Sequence, residues 1–93
     1  MPKRVDYNQP KIVEALRTVG ATVQVLSAVG RGCPDVLVGF RGLNFVLEIK
    51  NPTQKPSDRR LTPDEQAWHE AWRGQRAVVE TETEALKAIG AIH

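Results

Sequence analysis

Two short strings carry residue types from which a phosphodiester-cleaving centre can be built: Cys33-Pro34-Asp35 and Glu48-Ile49-Lys50. The aspartate and glutamate offer hard oxygen donors, and the lysine offers a positive charge. Oxygen donors suit Mg²⁺ or Mn²⁺ rather than zinc, and Mg²⁺ takes one or two protein carboxylates while keeping waters and phosphate oxygens as its other ligands. An ion held this way activates water for attack at phosphorus and stabilises the charge that develops. Lys50 can orient that water or neutralise the transition state. The plainer structural reading is an aspartate at a strand start and a Glu/Lys pair on a solvated strand face, so the elements carrying the three residues decide between the two.

Those elements read as a β-hairpin. Residues 36–40 are rich in β-branched and aromatic side chains, and residues 43–50 form a second such run. Arg41-Gly42 between them is a two-residue hairpin loop, a weaker signal than Asn-Gly. That loop sets Phe40 opposite Leu43, Val38 opposite Phe45 and Val36 opposite Leu47, which makes one face wholly apolar. The same register sets Asp35 opposite Glu48, and Lys50 joins their face because side chains on a strand repeat every second residue. A four-residue turn would keep all three together, whereas an unbulged three-residue turn would separate them. Two carboxylates at cross-strand distance repel, and a cation between them relieves the repulsion.

Gly32-Cys33-Pro34-Asp35, followed after twelve residues by Glu48-Ile49-Lys50, resembles the PD-(D/E)XK nuclease signature. Gln9-Pro10-Lys11-Ile12-Val13 opens an upstream helix ending at Gly20-Ala21. Leu61-Thr62-Pro63-Asp64-Glu65-Gln66 opens a downstream helix, with Trp68 and His69 following. With these the chain resembles the small VRR-NUC domains of phage and bacterial proteins from about Asn8 to Ile89. The resemblance implies an α/β fold with a restriction-endonuclease-like core: helix, three-stranded β-meander, helix, strand, helix. It implies divalent-metal-dependent DNA cleavage, with Asp35, Glu48 and the Ile49 carbonyl as metal ligands and Lys50 as the catalytic lysine. Stand-alone members resemble resolvases that act on branched DNA as homodimers. Many relatives carry a helix-borne glutamate where this chain has Gln9. At ~100° per residue, Ile12, Leu16 and Val19 form the apolar stripe, with Gln9 beside it and Glu14 nearly opposite. Gln9 is therefore expected as an auxiliary ligand or water-positioner and Glu14 as solvated surface. A neutral amide weighs against a two-metal arrangement. Gln66 matches a position where related nucleases place a polar residue near the site, although an exposed helix glutamine looks the same.

The length supports one domain, residues 1–93, and a chain this short buries a limited core, so that a homodimer is expected. Thirteen basic against eleven acidic residues give a net charge of +2, too mild to announce nucleic-acid binding. Distribution says more: Lys55, Arg59 and Arg60 follow Lys50 with only Asp58 among them, a cluster able to contact phosphates or simply to form a solvated loop. The single cysteine, Cys33, excludes an intramolecular disulfide and fits a reducing compartment, the cytoplasm of a bacterium or of a phage's host. No apolar run approaches ~20 residues, and residues 1–6 are short and polar rather than a secretory signal. His69 and His93 have no zinc-ligand partner pattern.

Asn8 is expected to cap the first helix, residues 22–26 to form a strand, and residues 51–60 to form a loop able to touch DNA. Thr62-Pro63-Asp64-Glu65 is a capping box opening a helix to about Arg73. Leu61, Trp68, Ala71 and Trp72 form its apolar side, while Gln66, His69, Glu70 and Arg73 form its polar side. Trp68 and Trp72 read as core or interface residues. Residues 77–80 read as a strand, and a second capping box at residues 81–84 opens a last helix to about Ile89. Beside the nuclease stand two other readings: a DNA-binding or adaptor domain that keeps the fold without activity, and an accessory protein docking through Trp68 and Trp72.

Overall fold

A computed structural model describes residues 7–93; residues 1–6, read above as no secretory signal, lie outside the described residues. The chain runs α1 (Gln9–Thr18), β1 (Thr22–Val25), β2 (Val36–Phe40), β3 (Leu43–Ile49), α2 (Pro56–Arg59), α3 (Pro63–Ala71), β4 (Gln75–Val79) and α4 (Glu82–Ala88). The expected order is present, with one addition: the segment expected as pure loop contains the single helical turn α2, whose start Pro56 favours by fixing φ. α3 stops two residues before Arg73, at a C-cap on Trp72, and β4 begins two residues before Ala77. No helix among the described residues is long and apolar enough to cross a membrane.

The four strands form one sheet in the order β1-β2-β3-β4, antiparallel except for the parallel pair β3-β4. A parallel neighbour needs a crossover, and α2 and α3 supply it. Val36 pairs with Leu47, Val38 with Phe45 and Phe40 with Leu43, the register expected from a two-residue turn. Arg41 (φ 50°) and Gly42 (φ 80°) are both left-handed, as a type I′ turn demands. Arg41 meets part of that cost by laying its guanidinium 4.8 Å above the Phe40 ring.

One sheet face forms the core. Val36, Val38, Leu47, Ile49 and Val79 bury themselves there beneath Ile12, Val13 and Leu16 of α1 and Ala85 of α4. The period-2 pattern of the strands and the apolar stripe of α1 are thus satisfied against each other. Asn8 does not cap α1 through its side chain. Its Nδ2 donates to the carbonyls of Lys50 (3.1 Å) and Glu80 (2.9 Å), fastening the start of α1 to the residues that follow β3 and β4.

Between β1 and β2 the chain passes through three successive left-handed residues, Gly30, Arg31 and Gly32. A Cβ on Gly32 would stand 2.3 Å from the carbonyl oxygen of Asp64 in the first turn of α3. Gly32 is therefore a point of backbone contact between the loop leading to Asp35 and the start of α3. Gly32→Ala should destabilise the fold by about 2 kcal/mol or more, from a positive φ and a backbone clash together. Urea unfolding checks this, and a midpoint equal to that of the parent would contradict the packing described.

Candidate active site

The second sheet face carries the chemistry. The pairing of Val36 with Leu47 places Asp35 and Glu48 as the next facing positions, with Lys50 two residues on. All three are buried: Asp35 is 1% exposed, Glu48 0% and Lys50 7%. Polar groups of this kind are seldom buried without partners, and their partners in this fold are specific. Asp35 Oδ2 accepts a 2.6 Å hydrogen bond from the Ile49 N–H, so the carboxylate continues the ladder where regular pairing stops. The Lys50 N–H turns the other way and donates to the Val79 carbonyl at 2.9 Å.

The Lys50 ammonium lies 2.7 Å from Glu65 Oε1 and 3.5 Å from Glu48 Oε2. Glu65, 4% exposed, belongs to the capping box: its Oε1 accepts from the Thr62 N–H at 2.9 Å, and its own N–H donates to Thr62 Oγ1 at 3.2 Å. One carboxylate thus closes the first turn of α3 and reaches across to the sheet. Sequence reading finds Glu65 as a cap residue and misses its second contact. The available signal is the short separation between Lys50 and the capping box, together with the certainty that a buried lysine needs an anion.

The orientation of α3 corrects the expected division of its sides. Glu65 and His69 are the buried residues of this helix, His69 at 2% exposure, whereas Ala71 is exposed and Trp72 is 44% exposed. Trp68 and Trp72 stack on each other, ring centroids 4.7 Å apart and planes 17° from parallel. The indoles cover each other in part, while the helix turns Glu65 to Lys50 and buries His69. Gln66 stays on the exposed side, where its Nε2 donates to Glu70 Oε1 at 2.8 Å, so it does not join Asp35, Glu48 and Lys50.

Gln9 is buried at 4% exposure, and its Oε1 has no hydrogen-bond donor among the described residues. It follows Asn8, whose amide reaches the Lys50 carbonyl, so the helix start is held at the same end of the sheet as the acidic pair. Glu14 is exposed, as expected. In the basic cluster, Lys55 and Arg60 are exposed at the two ends of α2, while Arg59 is half-buried and bonded to Glu80 Oε1 at 3.1 Å.

Among the described residues no group of three His, Cys, Asp or Glu side chains is arranged to cage a metal. Asp35 and Glu48 are nevertheless two buried oxygen donors on neighbouring strands, of the kind that suits an ion completing its shell with water and phosphate.

No family model and no curated protein sequence matches the chain. A solved structure described as a VRR_NUC domain does match, at 30% sequence identity and a TM-score of 0.66, over 91% of this chain and 92% of that one. With the hairpin register, the buried Asp35, Glu48 and Lys50 and the whole-length likeness in agreement, the chain belongs to the VRR_NUC family of nuclease-type domains.

Proposed function

We propose that residues 1–93 act as one nuclease domain, a Mg²⁺- or Mn²⁺-dependent endonuclease that hydrolyses DNA phosphodiester bonds. The observation that carries this reading is the burial of Asp35, Glu48 and Lys50 together at the end of the hairpin, a costly arrangement that a divalent cation and a phosphate would complete. Asp35, Glu48 and the Ile49 carbonyl would hold the ion, with Gln9 beside them as a neutral auxiliary. The ion supplies Lewis acidity at the phosphoryl oxygen and lowers the pKa of a water. The chain's own contribution is placement. The Ile49 N–H orients the Asp35 carboxylate, and Lys50 presents the donors not used by Glu65 to the phosphate and its developing charge. In hydrolysis the water oxygen bonds to phosphorus, the bond to one bridging oxygen breaks, and that oxygen leaves with a proton.

Lys55 and Arg60 stand outside the chemistry, where they can contact phosphates of the flanking strand. Arg59, tied to Glu80, steadies that segment and contributes to DNA from within the ion pair. The reading extends to branched DNA and to a homodimer, for which exposed Leu37, Val78 and Trp72 offer apolar surface.

The test incubates the protein with linear duplex, flap and four-way-junction DNA, in Mg²⁺, Mn²⁺ or EDTA. Cleavage should require metal and fall by about 100-fold or more in Asp35→Ala and in Lys50→Met. Binding without cleavage on every substrate would instead favour an inactive DNA-binding or adaptor domain. Lys55→Ala and Arg60→Ala should weaken DNA affinity and flatten its dependence on salt by about one phosphate contact each, leaving kcat at saturating DNA unchanged. A salt slope equal to the parent's would remove these residues from the interface.

A further inference from the structure

We propose that Glu65 is a positioning residue for Lys50, drawing its ammonium away from Glu48 so that the Glu48 carboxylate can take a divalent cation. The inference rests on the nuclease reading above and assigns a role to a residue outside the Asp35, Glu48 and Lys50 motif.

Distance is the first argument. At 2.7 Å the contact of Lys50 with Glu65 is a charge-assisted hydrogen bond, whereas at 3.5 Å the contact with Glu48 is a looser ion pair. Burial makes the difference count, because charges withdrawn from water interact more strongly than exposed ones. An ammonium lodged on Glu48 would oppose a metal ion twice, by occupying its ligand and by repelling its charge.

Independent anchoring is the second argument. The Glu65 carboxylate is aimed by the Thr62 N–H, and its backbone is held where Gly32 packs against the first turn of α3. Gly32 lies three residues before Asp35. The anchor for Lys50 is therefore registered against the same segment that carries the first metal ligand. Charge is the third argument. With all four groups ionised, Asp35, Glu48 and Glu65 against Lys50 leave two negative charges, which one divalent cation neutralises. Without the Glu65 charge one negative charge remains, and the ammonium turns to the Glu48 carboxylate already 3.5 Å away.

Glu65→Gln is the informative variant, because glutamine at this position also closes a capping box while carrying no charge. Its melting temperature should stay within about 3 °C of the parent's. Mn²⁺ affinity of the DNA-free protein, measured by calorimetry, should weaken by about tenfold. Adding Lys50→Met to Glu65→Gln should restore the affinity, since the competing ammonium is then gone. In cleavage assays Glu65→Gln should lower kcat with KM unchanged. If Glu65→Gln does not fold, Glu65→Asp serves, withdrawing the carboxylate by one methylene, with a loss of about threefold expected. Folded variants that bind Mn²⁺ as the parent does would reduce Glu65 to a helix cap and overturn the proposal while leaving the nuclease reading standing. A parent protein that binds no Mn²⁺ would overturn both.

Discussion

The two-residue turn at Arg41-Gly42 fixes the pairing of β2 with β3, and the rest of the molecule depends on that pairing. Side chains alternate along a strand, so a slip of one residue would exchange the two faces of β3 relative to β2. With Val36 and Val38 kept in the core, Phe45 and Leu47 would leave it, and Glu48 and Lys50 would enter it. The apolar pattern and the charged pattern are therefore one constraint read on opposite faces. Hydrophobic burial on one side pins carboxylates and ammonium on the other without any need for them to attract one another.

That division of labour explains how so small a chain keeps so many charges out of water. Lys50 has anions on two sides, Asp35 commits one oxygen to a strand N–H, and Glu65 serves a helix end and the lysine with the same oxygen. Each group has a structural role in addition to whatever chemistry it performs. α3 is the least conventional element as a result: it turns Glu65 and His69 inward and leaves its indoles to cover one another. The helix is positioned more by hydrogen bonds and by its contact with Gly32 than by an apolar stripe.

The hairpin, its turn and its register are legible from sequence because all three are local, encoded in β-branched runs, alternation and a short Gly-containing loop. α1 and the Thr62–Glu65 capping box are legible for the same reason, whereas the box expected at residues 81–84 is half made: Thr81 Oγ1 accepts from the Glu84 N–H, but Glu84 Oε1 accepts from the Glu80 N–H. The orientation of α3 is not, because periodicity reports which side of a helix is apolar, and here the buried side faces a charged site. Asn8 holds the N-cap position of α1 without a side-chain cap: its Nδ2 reaches two carbonyls, 42 and 72 residues away, and its Oδ1 accepts no hydrogen bond among the described residues. Gln66 and Glu65 are neighbours in one motif, yet only Glu65 faces the strand ends, a difference of one helical step that spacing alone does not fix.

The contact made by Asn8 has an evolutionary corollary. Its amide recognises main-chain carbonyls at positions 50 and 80, which every amino acid possesses. The tie therefore makes no demand on the identity of either partner, and either side chain can change without a matching change at position 8. A side-chain pair such as Lys50 with Glu65 instead places a demand on both positions at once. A side chain that reads only backbone is a constraint on one position, and records of paired change pass over it.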